Sequence, residues 1–313
     1  MLLQSPIMKL IVQPDAGMAP IITAIKQAKK SIDVLIFRLD RLEIARALEA
    51  AVARGVRVRA LTAHFNRGGS KYLRKLEMHL LESGVTVSRT ADDLIRYHGK
   101  MMIVDGKTLH VYGFNFTAFD MEKSRSFGVI TRNPKLVSEA MKVFAADFDR
   151  LPYVSSQERL IVSPENSRER LSTFLKGARK ELLIYDPKAT DDAMLRIVED
   201  RLASGVDVKI IGKVEAKWDK IPWEKYPGKR LHVRAIIRDG RRAFVGSQSL
   251  RRIELDKRRE IGVIINDQAV INEMRSVFLS DWARTDSGKK EAKRAEKSEK
   301  GSKKEEKELA AAS

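Results

Sequence analysis

Residues 98 to 117 read His-Gly-Lys-Met-Met-Ile-Val-Asp-Gly-Lys-Thr-Leu-His-Val-Tyr-Gly-Phe-Asn-Phe-Thr, and they hold most of the side chains able to do chemistry. An imidazole (His98) with an ammonium two residues on (Lys100) suits attack on a phosphate. The imidazole can serve as nucleophile or as acid and base, while the ammonium neutralises phosphoryl oxygens. Asp105 and Asn115 follow in the same stretch. Alternate residues of a β-strand share a face, so the spacing predicts His98 and Lys100 pointing the same way on a strand. Met101, Ile103 and the apolar run after them would carry that strand through a core. One such match is weak evidence, but the chain contains a second, at His232, Arg234 and Asp239.

The second stretch belongs to a duplication of the whole chain. Leu10-Ile11-Val12-Gln13-Pro14 recurs as Leu160-Ile161-Val162-Ser163-Pro164, an offset of 150 that also pairs Ala28-Lys29-Lys30 with Ala178-Arg179-Lys180. Beyond an insertion in the first copy the offset becomes 134 and matches His98 with His232, Asp105 with Asp239, Gly128 with Gly262 and Asp147 with Asp281. Within each copy, helical spacing (Ile21, Ile22, Ile25, Ala28; Leu42, Ala45, Leu48, Ala51) alternates with strand-like runs (Ile32 to Phe37; Val56 to Thr62). This alternation predicts an α/β architecture with helices over a largely parallel sheet, closed in each copy by a helix (Val137 to Phe148; Val270 to Trp282). The expected division is a first half over 1–150, a second over 151–285, and a charged tail over 286–313 that is disordered or at best a solvated helix.

The 313 residues include no Cys, which excludes disulfides and thiolate metal sites and fits a reducing cytoplasm. No apolar run approaches the length of a membrane span, and the first residues lack the basic start of a signal peptide. The net charge is +18; the tail has nine Lys/Arg against seven Asp/Glu, which leaves +16 on the rest. A basic body favours an anionic partner, either a phospholipid membrane surface or nucleic acid. The expected location is cytoplasmic, including the periphery of an inner membrane.

Paired H-x-K-x4-D stretches in a duplicated α/β chain resemble the phospholipase D superfamily, over residues from about 8 to 284. The runs Tyr-Gly-Phe-Asn-Phe-Thr (112 to 117) and Gly-Ser-Gln-Ser-Leu (246 to 250) look most like small bacterial members related to cardiolipin synthases. The resemblance implies two pseudo-twofold related α/β halves, with mixed sheets flanked by helices, that build one composite site needing no metal or cofactor. It implies His98 as nucleophile, forming a phosphohistidine, and His232 as general acid and base. Lys100 and Arg234 would hold phosphoryl oxygens, with Asn115, Ser247, Ser249 and Glu260 in support and Asp105 and Asp239 bracing the motif turns.

Several positions depart from the family pattern. Arg234 stands in place of Lys, Ser249 in place of Asn, and Tyr112-Gly113 in place of Gly-Ser. Ser126 replaces the acid found 28 residues after the motif His, which the second copy keeps as Glu260. A carboxylate on the far imidazole nitrogen fixes the tautomer and raises basicity. If that pairing lies within one copy, only His232 is braced and the two histidines exchange roles. Three readings stay open: a phospholipid phosphodiesterase or phosphatidyltransferase, a metal-independent nuclease of the same superfamily, and a non-catalytic phosphodiester binder. His64, His79 and His110 have no counterpart in the other copy and read as structural or surface residues. The Arg67-Gly68-Gly69 loop offers backbone N–H groups to a phosphate or is simply a turn. Trp218 and Trp223 suit a lipid interface, base stacking, or the pinning of a loop.

Overall fold

The computed structural model describes residues 7–64 and 70–311, so the Arg67-Gly68-Gly69 loop lies outside the described residues. The first half runs β1 (Met8–Gln13), α1 (Ala19–Gln27), β2 (Ser31–Ile36), α2 (Leu42–Ala53), β3 (Arg57–Thr62), α3 (Ser70–Glu82), β4 (Thr86–Arg89), β5 (Arg96–Tyr97), β6 (Met101–Val104), β7 (Thr108–Tyr112), α4 (Ala118–Lys123), β8 (Ser126–Thr131) and α5 (Pro134–Asp149). The second runs β9 (Leu160–Ser163), α6 (Ser167–Lys176), β10 (Glu181–Ala189), α7 (Asp192–Ala203), β11 (Asp207–Val214), β12 (Trp223–Glu224), β13 (Ala235–Arg238), β14 (Arg242–Gly246), α8 (Arg252–Asp256), β15 (Arg258–Ile265) and α9 (Gln268–Ala283). Helix α10 (Asp286–Ala311) follows.

The sheets are mixed rather than largely parallel. The first has the order β1-β8-β7-β6-β2-β3-β4, and only the pairs β2–β3 and β3–β4 are parallel. The reason is local: Asp105-Gly106 and Asp239-Gly240 all take positive φ and make the tight turns that send β6 into β7 and β13 into β14 as antiparallel hairpins. The second sheet repeats this plan, with β9 on β15 as β1 is on β8. In both copies the α2-type helix ends at a glycine with φ +83° (Gly55, Gly205), a conformation that costs an L side chain dearly.

Three apolar clusters hold the molecule together. The inner one takes side chains from both halves, among them Leu35, Met101 and Phe127 with Tyr185, Ile261 and Phe278, so the sheets share a core that α5 and α9 flank. The outer faces of the two sheets pack under α1, α2 and α3 (Ile21, Leu48, Leu80) and under α6 and α7 (Leu171, Leu195) respectively. Two ion pairs cross the pseudo-twofold axis at matched positions: Arg125 of β8's approach reaches Asp281 of α9 at 2.9 Å, and Arg259 of β15 reaches Asp147 of α5 at 3.0 Å. The offset that matched Asp147 with Asp281 therefore marks a reciprocal clamp. Gly113 sits at the axis, where a Cβ would come within 3.2 Å of the Gly246 carbonyl oxygen.

Candidate active site

His98 and Lys100 lie just before β6 rather than on it, and His232 and Arg234 just before β13. The backbone explains the difference from the strand expectation. The His98 and Gly99 amides donate to the Arg259 carbonyl, at 2.7 and 2.9 Å, and the His232 amide donates to the Arg125 carbonyl at 2.9 Å. Each motif thus enters its own sheet only after binding the other half's strand, and strand β5 pairs in parallel with β15 for the same reason. Lys100 and Arg234 then turn back along the chain: Lys100 Nζ donates to the His98 carbonyl at 2.5 Å, and Arg234 Nη1 to the His232 carbonyl at 3.0 Å. All four side chains are buried.

Burial dominates the electrostatics. It holds both imidazoles well below the ordinary histidine value, and the charges of Lys100 and Arg234 each push both of them further the same way. Glu260 of the second half lies on His98 and Asp120 of the first half beside His232, so the two motifs share one neighbourhood. Desolvation also lowers Lys100 to about 7, with Glu260 opposing and Arg234 assisting. An anion entering this site would favour the protonated form of every one of these groups.

The carboxylate pairing runs across the halves. Glu260 of β15 contacts His98 Nδ1 through both oxygens, at 2.9 and 3.0 Å, and burial raises its carboxyl against the pull of Lys100 and Arg234. Ser126, at the matching place in the first half, has no hydrogen-bond partner for its buried hydroxyl among the described residues. His232 is faced instead by Asp120 of α4, whose Oδ2 lies 3.3 Å from Nδ1 but off hydrogen-bond geometry. Asp120 also accepts from the Asn115 amide and from Asn115 Nδ2, at 2.8 and 2.7 Å, and pairs with Arg230. Burial alone would raise its carboxyl; the charges of His232 and Arg230 and the Asn115 amide win and lower it. The sequence reading passed over Asp120 and its counterpart Glu254, which accepts from the Ser249 amide at 2.7 Å and lies 3.8 Å from Arg234. Both are acids five residues after Asn115 and Ser249, at the same 134-residue offset, so extending the alignment would have found them.

Of the supporting positions, Ser249 Oγ accepts from Arg234 Nε at 3.2 Å. The Ser247 hydroxyl accepts from the Ile261 amide at 3.1 Å and also helps to lower the Glu260 carboxyl against burial. Asp105 and Asp239 stand at the far ends of the motif strands, each accepting three consecutive backbone amides: residues 29 to 31 for Asp105 and 179 to 181 for Asp239. Phe37 packs edge-on to the His98 ring at 4.6 Å between centroids. Trp218 is buried with its Nε1 toward Asp192, and Trp223 pairs with Ile210 as strand β12, so both pin their loop. His110 is buried on β7, and His79 pairs with Glu49 on the surface. Open grooves of about 620 and 680 Å³ lie around Lys107 and Arg132, at the far end of the first sheet, and hold none of the motif cations.

Two such halves, each completing the other's motif, define a phospholipase D-like protein. The sequence model described as "Cardiolipin synthase, PLD-like domain" matches residues 21–148 and again residues 171–282, and the chain belongs to that family. The mitochondrial cardiolipin hydrolase of Danio rerio is 27% identical over 145 residues, a match that covers 45% of this chain and 59% of that one. The chain thus matches somewhat over half the length of this curated relative. Among solved structures, polyphosphate kinase from Porphyromonas gingivalis superposes with a TM-score of 0.73 at 17% identity, covering 87% of this chain and 46% of the kinase. Phosphatidylserine synthase from Haemophilus influenzae gives 0.66 at 13% identity, covering 88% and 86%. At these identities the structural likeness speaks for the fold.

Proposed function

We propose that this protein is a phosphodiesterase or phosphatidyltransferase acting on phospholipids through a phosphohistidine intermediate. The observation that carries the reading is the Glu260 carboxylate on His98 Nδ1, delivered from the other half of the chain. A proton held on Nδ1 leaves Nε2 with a free lone pair, and burial keeps the ring neutral near pH 7, as an attacking nucleophile must be. His98 Nε2 would attack phosphorus and the bond to the leaving oxygen would break. The diester's negative charge would raise the proton affinity of both imidazoles, but two charged rings in one site repel, so a single proton would sit on His232, which would give it to that oxygen. The same ring, now neutral, would take a proton from water or an alcohol as that oxygen attacks the phosphohistidine and frees His98. Lys100 and Arg234 would hold the non-bridging oxygens, whose charge the transition state redistributes.

The lipid reading draws support from the family's description, from the cardiolipin hydrolase relatives and from the basic body. A nuclease would share the same chemistry, so substrate class is the thing to test. Bis(p-nitrophenyl) phosphate, phosphatidylglycerol vesicles and single-stranded DNA are offered side by side with EDTA present, with His98→Ala and His232→Ala as controls. Turnover of the lipid that both variants reduce by about 10³-fold or more is expected. Turnover of DNA alone would replace the lipid reading with a nuclease. Failure on all three substrates would leave a binder.

A further inference from the structure

The near balance of charge in residues 286–313 hides a segregation that only the helix reveals. Lys289, Lys293 and Lys297 are four residues apart, and the spacing continues in the sequence at Lys300, Lys304 and Lys307. On an α-helix these six positions fall within an arc of about 80° and span about 27 Å. The opposite face is the one that meets the body. Glu291 Oε2 accepts from Trp282 Nε1 at 3.2 Å, and Gly288 is buried so closely that a Cβ would strike the Trp282 carbonyl. The first turn is tied down by Ser287, which donates to Glu224, and by the Gly288 amide on Thr285 Oγ1 at 3.2 Å. Lys289, Lys293 and Lys297 therefore face away from the body and are exposed, with Asp286 4.0 Å from Lys289.

We propose that this lysine stripe docks the protein on an anionic phospholipid bilayer, a reading that rests on the lipid substrate proposed above. A row of lysine positions along one helix face matches a flat, diffuse sheet of phosphates, and each lysine near such a surface adds to the attraction. Eight of the nine basic residues are Lys and only Arg294 offers a guanidinium fork for bidentate phosphate contacts; no aromatic is present to stack on bases. Those features favour a bilayer over nucleic acid. Held this way, the chain would stay at the surface between turnovers while its body remains free to reorient.

The test uses the full chain and a variant that keeps composition and net charge: Lys297→Glu with Glu299→Lys, and Lys304→Glu with Glu306→Lys. Sedimentation with vesicles of phosphatidylglycerol in phosphatidylcholine is compared with phosphatidylcholine alone and with duplex DNA as competitor. The exchange should cut partition onto the anionic vesicles by about tenfold or more while leaving bis(p-nitrophenyl) phosphate turnover unchanged. Equal partition of variant and wild type, or no preference of the wild type for phosphatidylglycerol, overturns the proposal. So does a loss confined to DNA binding. Should circular dichroism report a lost helix, Lys289→Gln, Lys293→Gln and Lys297→Gln together test the same face with the Glu291 contact intact, and the same two outcomes decide. Hydrolysis of phosphatidylglycerol in detergent micelles reports the site alone: stripe-dependent vesicle binding without it would sink the lipid substrate and leave the docking, and the reverse result would do the opposite.

Discussion

The two halves repeat one scaffold and differ at the point where each braces an imidazole. In both, a basic side chain returns to the carbonyl of its motif histidine, an aspartate gathers three amides behind the motif turn, and the opposite half's strand receives the histidine amide. Yet His98 is gripped by both oxygens of a buried glutamate, whereas His232 has a displaced aspartate at 3.3 Å and a serine where the matching acid would stand. A firm Nδ1 contact fixes a tautomer, as a nucleophile that attacks through Nε2 requires. A looser one lets a ring give and take a proton without being locked in either state. On the mechanism proposed above, the asymmetry would separate two roles that two identical halves would have to share.

The comparison breaks hardest at Glu260. Glu260→Gln can present an N–H to His98 Nδ1 and favour the wrong tautomer, so kcat should fall by roughly 10³-fold or more with little change in KM. A loss under tenfold would mean that the grip on His98 is structural only. Asp120→Asn should cost less, about tenfold in kcat, and should leave a mark on pH dependence. Asp120 raises the proton affinity of His232, so its loss moves the alkaline limb of kcat to lower pH. Adding Ser126→Glu should return that limb and most of the rate, because it rebuilds on the first half the carboxylate the second half already has. A rate loss with an unmoved limb would assign Asp120 to holding Asn115 and Arg230 alone. Smaller again is Arg234→Lys, which keeps a donor for the His232 carbonyl and gives up the Ser249 contact. The expected change in kcat is within about threefold, and a collapse would assign the guanidinium fork a specific hold on phosphate.

Much of this was legible in the chain itself. The duplication, the alternation of elements and the motif side chains follow from periodicity and offset, which depend on local spacing alone. Periodicity alone misjudges sheet direction, because the hydrophobic runs of β6 and β13 look the same in either sense; the mixed sheets follow from the family resemblance instead. The information lies in Asp105-Gly106 and Asp239-Gly240, whose turns the sequence reading places at the motifs without drawing the antiparallel hairpins they make. The partner of Glu260 was out of reach for a different reason. Whether a carboxylate serves its own half or the other depends on how two sheets meet, and no spacing along one chain encodes that. Asp120 escaped because it does not occupy the family position; it reaches His232 from a short helix five residues beyond Asn115. The lysine row of α10 was present in the sequence but became visible only when summed charge was replaced by helical angle.

The smallest effect tests the part of the scaffold that does not differ. Asp105 and Asp239 each accept three backbone amides, and though burial alone would raise these carboxyls, the amides together hold both below the ordinary aspartate value. A folded-state value depressed below the unfolded 3.8 means that the contribution is fully present above about pH 4 and fades as pH falls through the folded value. Asp105→Asn and Asp239→Asn each retain one accepting oxygen, so the expected cost at pH 7 is about 1 kcal/mol apiece, similar because each carboxylate gathers three corresponding amides, Asp105 through both oxygens and Asp239 through Oδ1. Urea midpoints at pH 7 and pH 3 measure it: both variants should fall below the wild type at the higher pH and approach it at the lower. Turnover by the folded protein should be unchanged in both. A loss of activity in one and not the other would mean that the turns behind the two motifs, which gather corresponding amides, do not position the two histidines equally, and would carry the asymmetry of the halves down into the scaffold.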